Sequence, residues 1–254
     1  MPGRLSSTEA EDILRKGFHE PAEKPRRFYK SVEVAKADDA FVVLLDGRAL
    51  RTPGGVRLRL PRRPLAEQVA AEWAGQGDTI ELAQMCATRL ANTAIDSIGA
   101  AREATANQIA DYAGSDLLLY FAEQPEALVR RQTELWGPLL DRAEKEARLS
   151  FVRASGIIHR AQPQASLEEV RRIALSLDDF GLAGLAFGAA LFGSAILAIG
   201  LQRGWLDGAQ AYELSRLDEA WQEEQWGVDE EAAERAQRLR EEAGVLERWF
   251  RALV

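Results

Sequence analysis

A run of 21 residues without a single charge, Gly181–Leu201 (GLAGLAFGAALFGSAILAIGL), constrains the fold more than any other stretch of this chain. A helix of that length could cross a bilayer. Eleven of the 21 residues are Gly or Ala, however, which dilutes the hydrophobicity, and the stretch lacks aromatic belts, with Arg203 and Trp205 on one flank only. A helix apolar on every face also belongs at the centre of a helical bundle. Gly184 and Gly188, one turn apart, would let a neighbouring helix approach closely. The expectation is therefore a buried core helix without membrane insertion, and a membrane anchor is the competing reading.

The rest of the pattern builds around that helix. Residues 28–60 carry β-branched and aromatic residues between turn signals and read as strands. Asp46-Gly47 marks a hairpin, and Pro53-Gly54-Gly55 marks a second turn. Beyond it Val56, Leu58 and Leu60 alternate with Arg57 and Arg59, as in a half-exposed strand with one apolar and one basic face. After Pro61 the period becomes helical. Pro64 opens a helix carrying Val69 and Trp73 one turn apart, and Trp73 could be core or interface. Further helices are expected through 88–114, from Pro125 to about Leu149 with Leu128, Trp136, Leu139 and Leu140 inward, from a Ser166/Glu169 capping box, at 207–226 and at 229–252. The fold class is α+β, a small antiparallel β-rich N-terminal domain followed by a mostly α-helical one. Its expected parts are an arm over 1–25 with a short helix near Thr8–Lys16, a β-rich domain with one helix over 26–84, and a helical domain over 85–254.

Charge narrows the partners. The chain carries −8 overall, with a basic front (net +5 over 1–64) and an acidic back (net −7 over 204–254), so nucleic acid is not an expected partner. The first twenty residues hold too many acids for a mitochondrial presequence and no apolar secretory core, so a bacterial cytoplasm is expected. The single cysteine, Cys86, reads as a small buried hydrophobe, and His159 has no evident catalytic partner. Phosphate-loop, dinucleotide and nucleophile-elbow motifs are missing, and no histidine or cysteine pair has metal-ligand spacing. No cofactor or metal is expected. A carboxylate-based enzyme with its site between the two domains is the alternative reading.

The most informative segment is Asp207–Gly227, DGAQAYELSRLDEAWQEEQWG. Leu214, Leu217 and Trp221 make one apolar stripe at helical spacing, and the next position on it is Glu224. Asp218 and Glu219 flank the stripe, and Trp226 ends it. A carboxylate in line with leucine and tryptophan is costly if buried alone. Either an arginine of this chain meets Glu224, or Glu224 waits at a surface for a partner's donor. In the second case these five residues form the aromatic-plus-charge patch that dominates interface energies.

Taken together, TRLANTAID (88–96), SDLLLYFA (115–122), QTELWGPLLDRAE (132–144), FGSAILAIGL (192–201) and SRLDEAWQEEQWG (215–227) resemble the ATP12 family (Atp-twelve), assembly chaperones of the F-one sector of ATP synthase. The resemblance runs in order from about Arg27 to the end. It implies the two-part fold above and a non-enzymatic job: binding the free α subunit until it pairs with β, so that it does not aggregate. It further implies that Glu224 is a residue important for activity and that eukaryotic relatives act in the mitochondrial matrix, and the chain is expected to work as a monomer.

Overall fold

In a computed structural model the chain is described over residues 25–156, 158–227 and 230–254, with the backbone alone at 230 and 231. The helix expected near Thr8–Lys16 lies outside the described residues. Strands β1 (Val32–Ala37) and β2 (Ala40–Leu45) pair antiparallel with Val32 opposite Leu45, and β3 (Arg48–Ala49) folds back on β2. The β2–β3 turn is Asp46-Gly47, both at positive φ (47° and 78°), the conformation this dipeptide tolerates best. Asp46 also accepts the Ser31 and Lys30 N–H groups, which hold its carboxyl below the usual carboxylate range. The strand expected after Pro53 is present only as single bridges, Arg51 opposite Arg57 and Phe41 opposite Leu60. The proline–glycine turn between them leaves too few consecutive ladder bonds for a regular strand.

Helix α1 (Arg63–Ala74) lays Leu65, Ala66, Val69 and Trp73 over the buried Val43, Leu58 and Leu60 of this sheet region. Trp73 is thus core: its ring lies 5.6 Å from that of Tyr29, whose hydroxyl donates to the Trp73 carbonyl. Two carboxylates then tie the β-rich part to the helices that follow. Glu72 of α1 caps the start of α2 (Cys86–Thr93), accepting the Ala87 N–H at 2.7 Å, the Thr88 N–H at 2.8 Å and the Thr88 hydroxyl. Burial nonetheless pushes its carboxyl up, against those bonds. One wide turn, Ala94–Ile98, carries α2 into α3 (Gly99–Gly114), and Asp96 in that turn accepts the Thr52 hydroxyl at 2.6 Å and the Gly54 N–H at 2.9 Å.

Then follow β4 (Tyr120–Phe121), α4 (Glu126–Ala147), β5 (Ala154–Ser155), which pairs parallel with β4, and α5 (Gln164–Ser176). Ser166 is not the cap of α5. The helix already starts at Gln164, and the Ser166 hydroxyl donates to the Ser150 carbonyl instead. The expected inward residues of α4, Leu128, Trp136, Leu139 and Leu140, are all buried.

The charge-free run is buried as expected but is two helices, α6 (Asp179–Phe192) and α7 (Ala195–Gln202). Gly193, at φ +62°, ends the first in the left-handed conformation, and the Ser194 hydroxyl caps the second by accepting the Leu197 N–H. The fully buried Asp116 adds a second cap through the Ile196 N–H. Burial pushes its carboxyl up to about 6 despite these donors. Gly184 and Gly188 face Leu246, Trp249 and Phe250 of the C-terminal helix, which packs so closely that a Cβ on Gly184 would stand 3.0 Å from both rings. No helix among the described residues is long and apolar enough to cross a membrane.

The helix expected over 207–226 is also two, α8 (Gly208–Ser215) and α9 (Leu217–Trp226), before α10 (Glu230–Leu253). Asp207 and Gln210 cap α8 reciprocally. The Ser215 hydroxyl donates to the Tyr212 carbonyl and Arg216 leaves the helical region at φ −113°, ψ 19°, so the chain turns between the two helices.

Candidate functional site

Helix α9 is short, and the break at Arg216 frees it to point away from α8. Its first residue, Leu217, is buried and Trp221 is half-buried against the core. From there it climbs to the surface: Glu224 is exposed, and Trp226 presents 80% of its area to solvent. Leu214, expected on the same stripe, sits on α8 instead. Its carbonyl accepts the indole N–H of the buried Trp136 at 3.1 Å, which joins α8 to α4.

Glu224 meets an arginine of this chain. Arg131 Nη1 on α4 donates to Oε1 at 2.8 Å and to Oε2 at 2.9 Å. The pair is open to solvent, with side chains 36% and 51% exposed, so no burial cost falls on the carboxylate. Neighbouring Arg216 spans Tyr212 and Glu223, at 3.1 Å and 2.6 Å, bracing the turn into α9. Asp218 lies deeper. Gln132, wholly buried on α4, accepts the Ala122 N–H and donates to Asp218 Oδ1 at 2.7 Å. Burial raises the Asp218 carboxyl, and the Gln132 bond only partly offsets it. Glu219 is exposed and makes no ion pair among the described residues.

Two open grooves flank this helix. The first, about 730 Å³, runs between α4, α8, α9 and α10 over an apolar floor that includes Leu135, Leu206, Leu214, Leu217 and Ala236, with Arg131, Glu213 and Glu223 at its edge. The second, about 1060 Å³, is lined by Tyr120, Phe121, Glu123, His159 and Asp218. There the Tyr120 hydroxyl and His159 Nδ1 lie 3.1 Å apart. Among the described residues, Asp218 is the one from α9 that lines this second groove. Cys86, by contrast, is buried, and desolvation, with Glu242 next, pushes its thiol up to about 12, which leaves it inert as a nucleophile. No group of three His, Cys, Asp or Glu among the described residues could hold a metal ion.

The sequence missed Arg131, Gln132 and Leu135. All three lie on α4: Arg131 and Gln132 stand 93 and 86 positions before the residues they meet, Leu135 lines the first groove, and no local pattern marks them.

Comparison with known proteins adds to this geometry. The model of the family described as ATP12 chaperone protein matches residues 26–144. A solved ATP12 structure from Paracoccus denitrificans is 41% identical, covers 91% of this chain and 99% of its own, and superposes with a TM-score of 0.82. The chain belongs to the ATP12 family. A solved protein of Agrobacterium tumefaciens is 39% identical with a TM-score of 0.84, covering 91% of this chain and 87% of its own. The mitochondrial ATP12 protein of Schizosaccharomyces pombe is 28% identical over 221 residues, 82% of this chain and 76% of that one. The expected fold, a small antiparallel sheet followed by helices, is thus the fold of the ATP12 family.

Proposed function

We propose that this ATP12-family chain is an assembly chaperone of ATP synthase: it binds the free α subunit of the catalytic head and covers it until β arrives. The carrying observation is the end of α9, where Trp226 stands out in solvent two residues after Glu224, and where Arg131, the partner of Glu224, lines an apolar groove. A large exposed indole is poor design for a surface with no partner and good design for an interface anchor. On this reading the client takes Glu224 over from Arg131, and Glu224, Asp218, Glu219, Trp221 and Trp226 form the client contact.

The physics fits the task. An unassembled subunit exposes the apolar, polar-rimmed surface that normally meets its neighbour, and such a patch drives aggregation. A chaperone must cover that surface and then yield it. No nucleotide-binding motif is present in the sequence to drive release, so the reading includes passive exchange by competition with β. It also includes action as a monomer in a bacterial cytoplasm, without enzymatic activity, and a β-rich part over 26–84 serving a helical part over 85–254. The groove holding Glu123 and Asp218 lies wholly within the helical part, not between the two parts where the competing carboxylate enzyme would have its site. Its breadth, about 1060 Å³, speaks for a surface that receives a protein.

Co-expression with a cognate α subunit tests the proposal. The subunit is expected in the soluble fraction, co-purifying with this chain. An α subunit that stays insoluble, or is soluble but uncaptured, overturns the reading.

A further inference from the structure

The strongest unassigned feature lies far along the chain from α9, on the hairpin that leads into α1. Residues 48–63 hold six arginines, Arg48, Arg51, Arg57, Arg59, Arg62 and Arg63, and no acid. Arg59 is met by Asp38 and Asp39, and Arg63 by Glu67. Arg48, Arg51, Arg57 and Arg62 are exposed and have no carboxylate partner among the described residues.

Two placements in this patch run against local stability. Arg51 and Arg57 lie directly opposite each other. The bonds from Thr52 N–H to the Val56 carbonyl and from Leu58 N–H to the Leu50 carbonyl flank them, so theirs is the non-hydrogen-bonded kind of pair, in which side chains stand closest. Like charges there repel. The second placement is at the start of α1, where Arg62 occupies the cap without a side-chain bond and the first turn holds no acid. Positive side chains at a helix N-terminus oppose the dipole. A surface that breaks two rules with one sign of charge is built for an anion.

The patch is also rigid. Leu50, Leu58 and Leu60 are buried beneath it, and Asp96 fastens its tip through Thr52 and Gly54. The guanidinium of Arg51 is held by the Gly55 carbonyl at 2.6 Å. Guanidinium groups with no carboxylate partner among the described residues, on a fixed platform, suit the planar, two-oxygen geometry of carboxylates. The −8 net charge of the whole chain opposes a long polyanion such as nucleic acid.

We infer that this arginine hairpin is a second client contact, which receives a cluster of aspartates or glutamates on the captured protein. The inference deepens the chaperone reading and rests on it. Its role is to steer and orient the client, while the α9 face supplies the apolar hold.

The test uses the full chain and Arg51→Glu/Arg57→Glu. A decaglutamate peptide is titrated at low salt while backbone amide resonances are followed. Shifts confined to residues 48–63, lost in the variant, are expected. No shift there overturns the inference, as does a response to inorganic polyphosphate without one to the peptide. In parallel, association with the α subunit is timed at low and physiological salt. The variant is expected to associate roughly ten-fold more slowly at low salt, with a flatter salt dependence. Its melting temperature should change little, because one exposed like-charge pair replaces another. Normal association by the variant overturns this inference alone, whereas no capture by the unsubstituted chain sinks the chaperone reading itself.

Discussion

Glu224→Gln separates a client contact from a structural ion pair. The substitution removes the charge that Arg131 meets while keeping shape and one acceptor oxygen. In the free chain little should change. A single nitrogen of Arg131 serves both carboxylate oxygens, at 2.8 and 2.9 Å, and the two side chains are 36% and 51% exposed. Pairs this open contribute about 0.2–1 kcal/mol. At about 2–4 °C per kcal/mol for a chain of this size, the melting temperature should fall by less than about 4 °C. On the proposed reading the same carboxylate is desolvated against the client in the complex. Losing one side of such a contact costs about 2–5 kcal/mol, which is at least a thirty-fold loss of affinity. Arg131→Ala, which removes only the internal partner, should weaken capture less. The assay pairs thermal unfolding by circular dichroism with quantitative capture of the α subunit. Capture within two-fold of the unsubstituted chain removes Glu224 from the contact, and a fall in melting temperature beyond about 8 °C makes it a structural residue instead.

Three further outcomes are expected. Trp226→Ala should lower capture strongly and leave the melting temperature nearly unchanged, since the indole is 80% exposed; a large loss of stability would show that it packs inside. Gly208→Ala should destabilise the chain by about 2–3 kcal/mol, because a Cβ there would stand 2.5 Å from the Ala243 carbonyl oxygen and only a shift of α8 against α10 could relieve it; denaturant titration showing no loss would contradict that packing. Asp116 should make stability depend on pH. Its folded carboxyl sits at about 6 against an ordinary value of 3.8, so the folded state holds a proton that the unfolded chain has already lost. Its contribution therefore falls by about 2 kcal/mol as pH rises from about 4 to about 6. The slope of stability with pH should flatten in Asp116→Asn, and identical slopes would refute the burial argument.

What could be read from sequence was whatever repeats locally. Asp46-Gly47 announced its hairpin, and the composition of Gly181–Leu201 announced burial. The break inside that run was also written there, in Gly193-Ser194, yet a charge-free stretch masks a cap because its periodicity does not change across it. The break at Arg216 had no such signal, since it depends on the Ser215 hydroxyl and on Arg216 reaching Tyr212 and Glu223. The composition of the α9 face was legible, as Glu224 and Trp226 stand out in a helix of ordinary residues. Its architecture was not: Arg131 and Gln132 approach from a helix 93 and 86 positions away, and only the folded chain brings them together. The arginine hairpin was visible as an alternating strand, but the opposition of Arg51 and Arg57 is a matter of register.

The central claim is shielding of a sticky subunit, and light scattering reads it most directly. Purified α subunit, freshly brought to native buffer, is followed with and without an equimolar amount of this chain and no nucleotide. The account predicts suppressed scattering, then release into an α–β complex when β is added, again without ATP hydrolysis. Scattering that rises equally fast in both samples contradicts it.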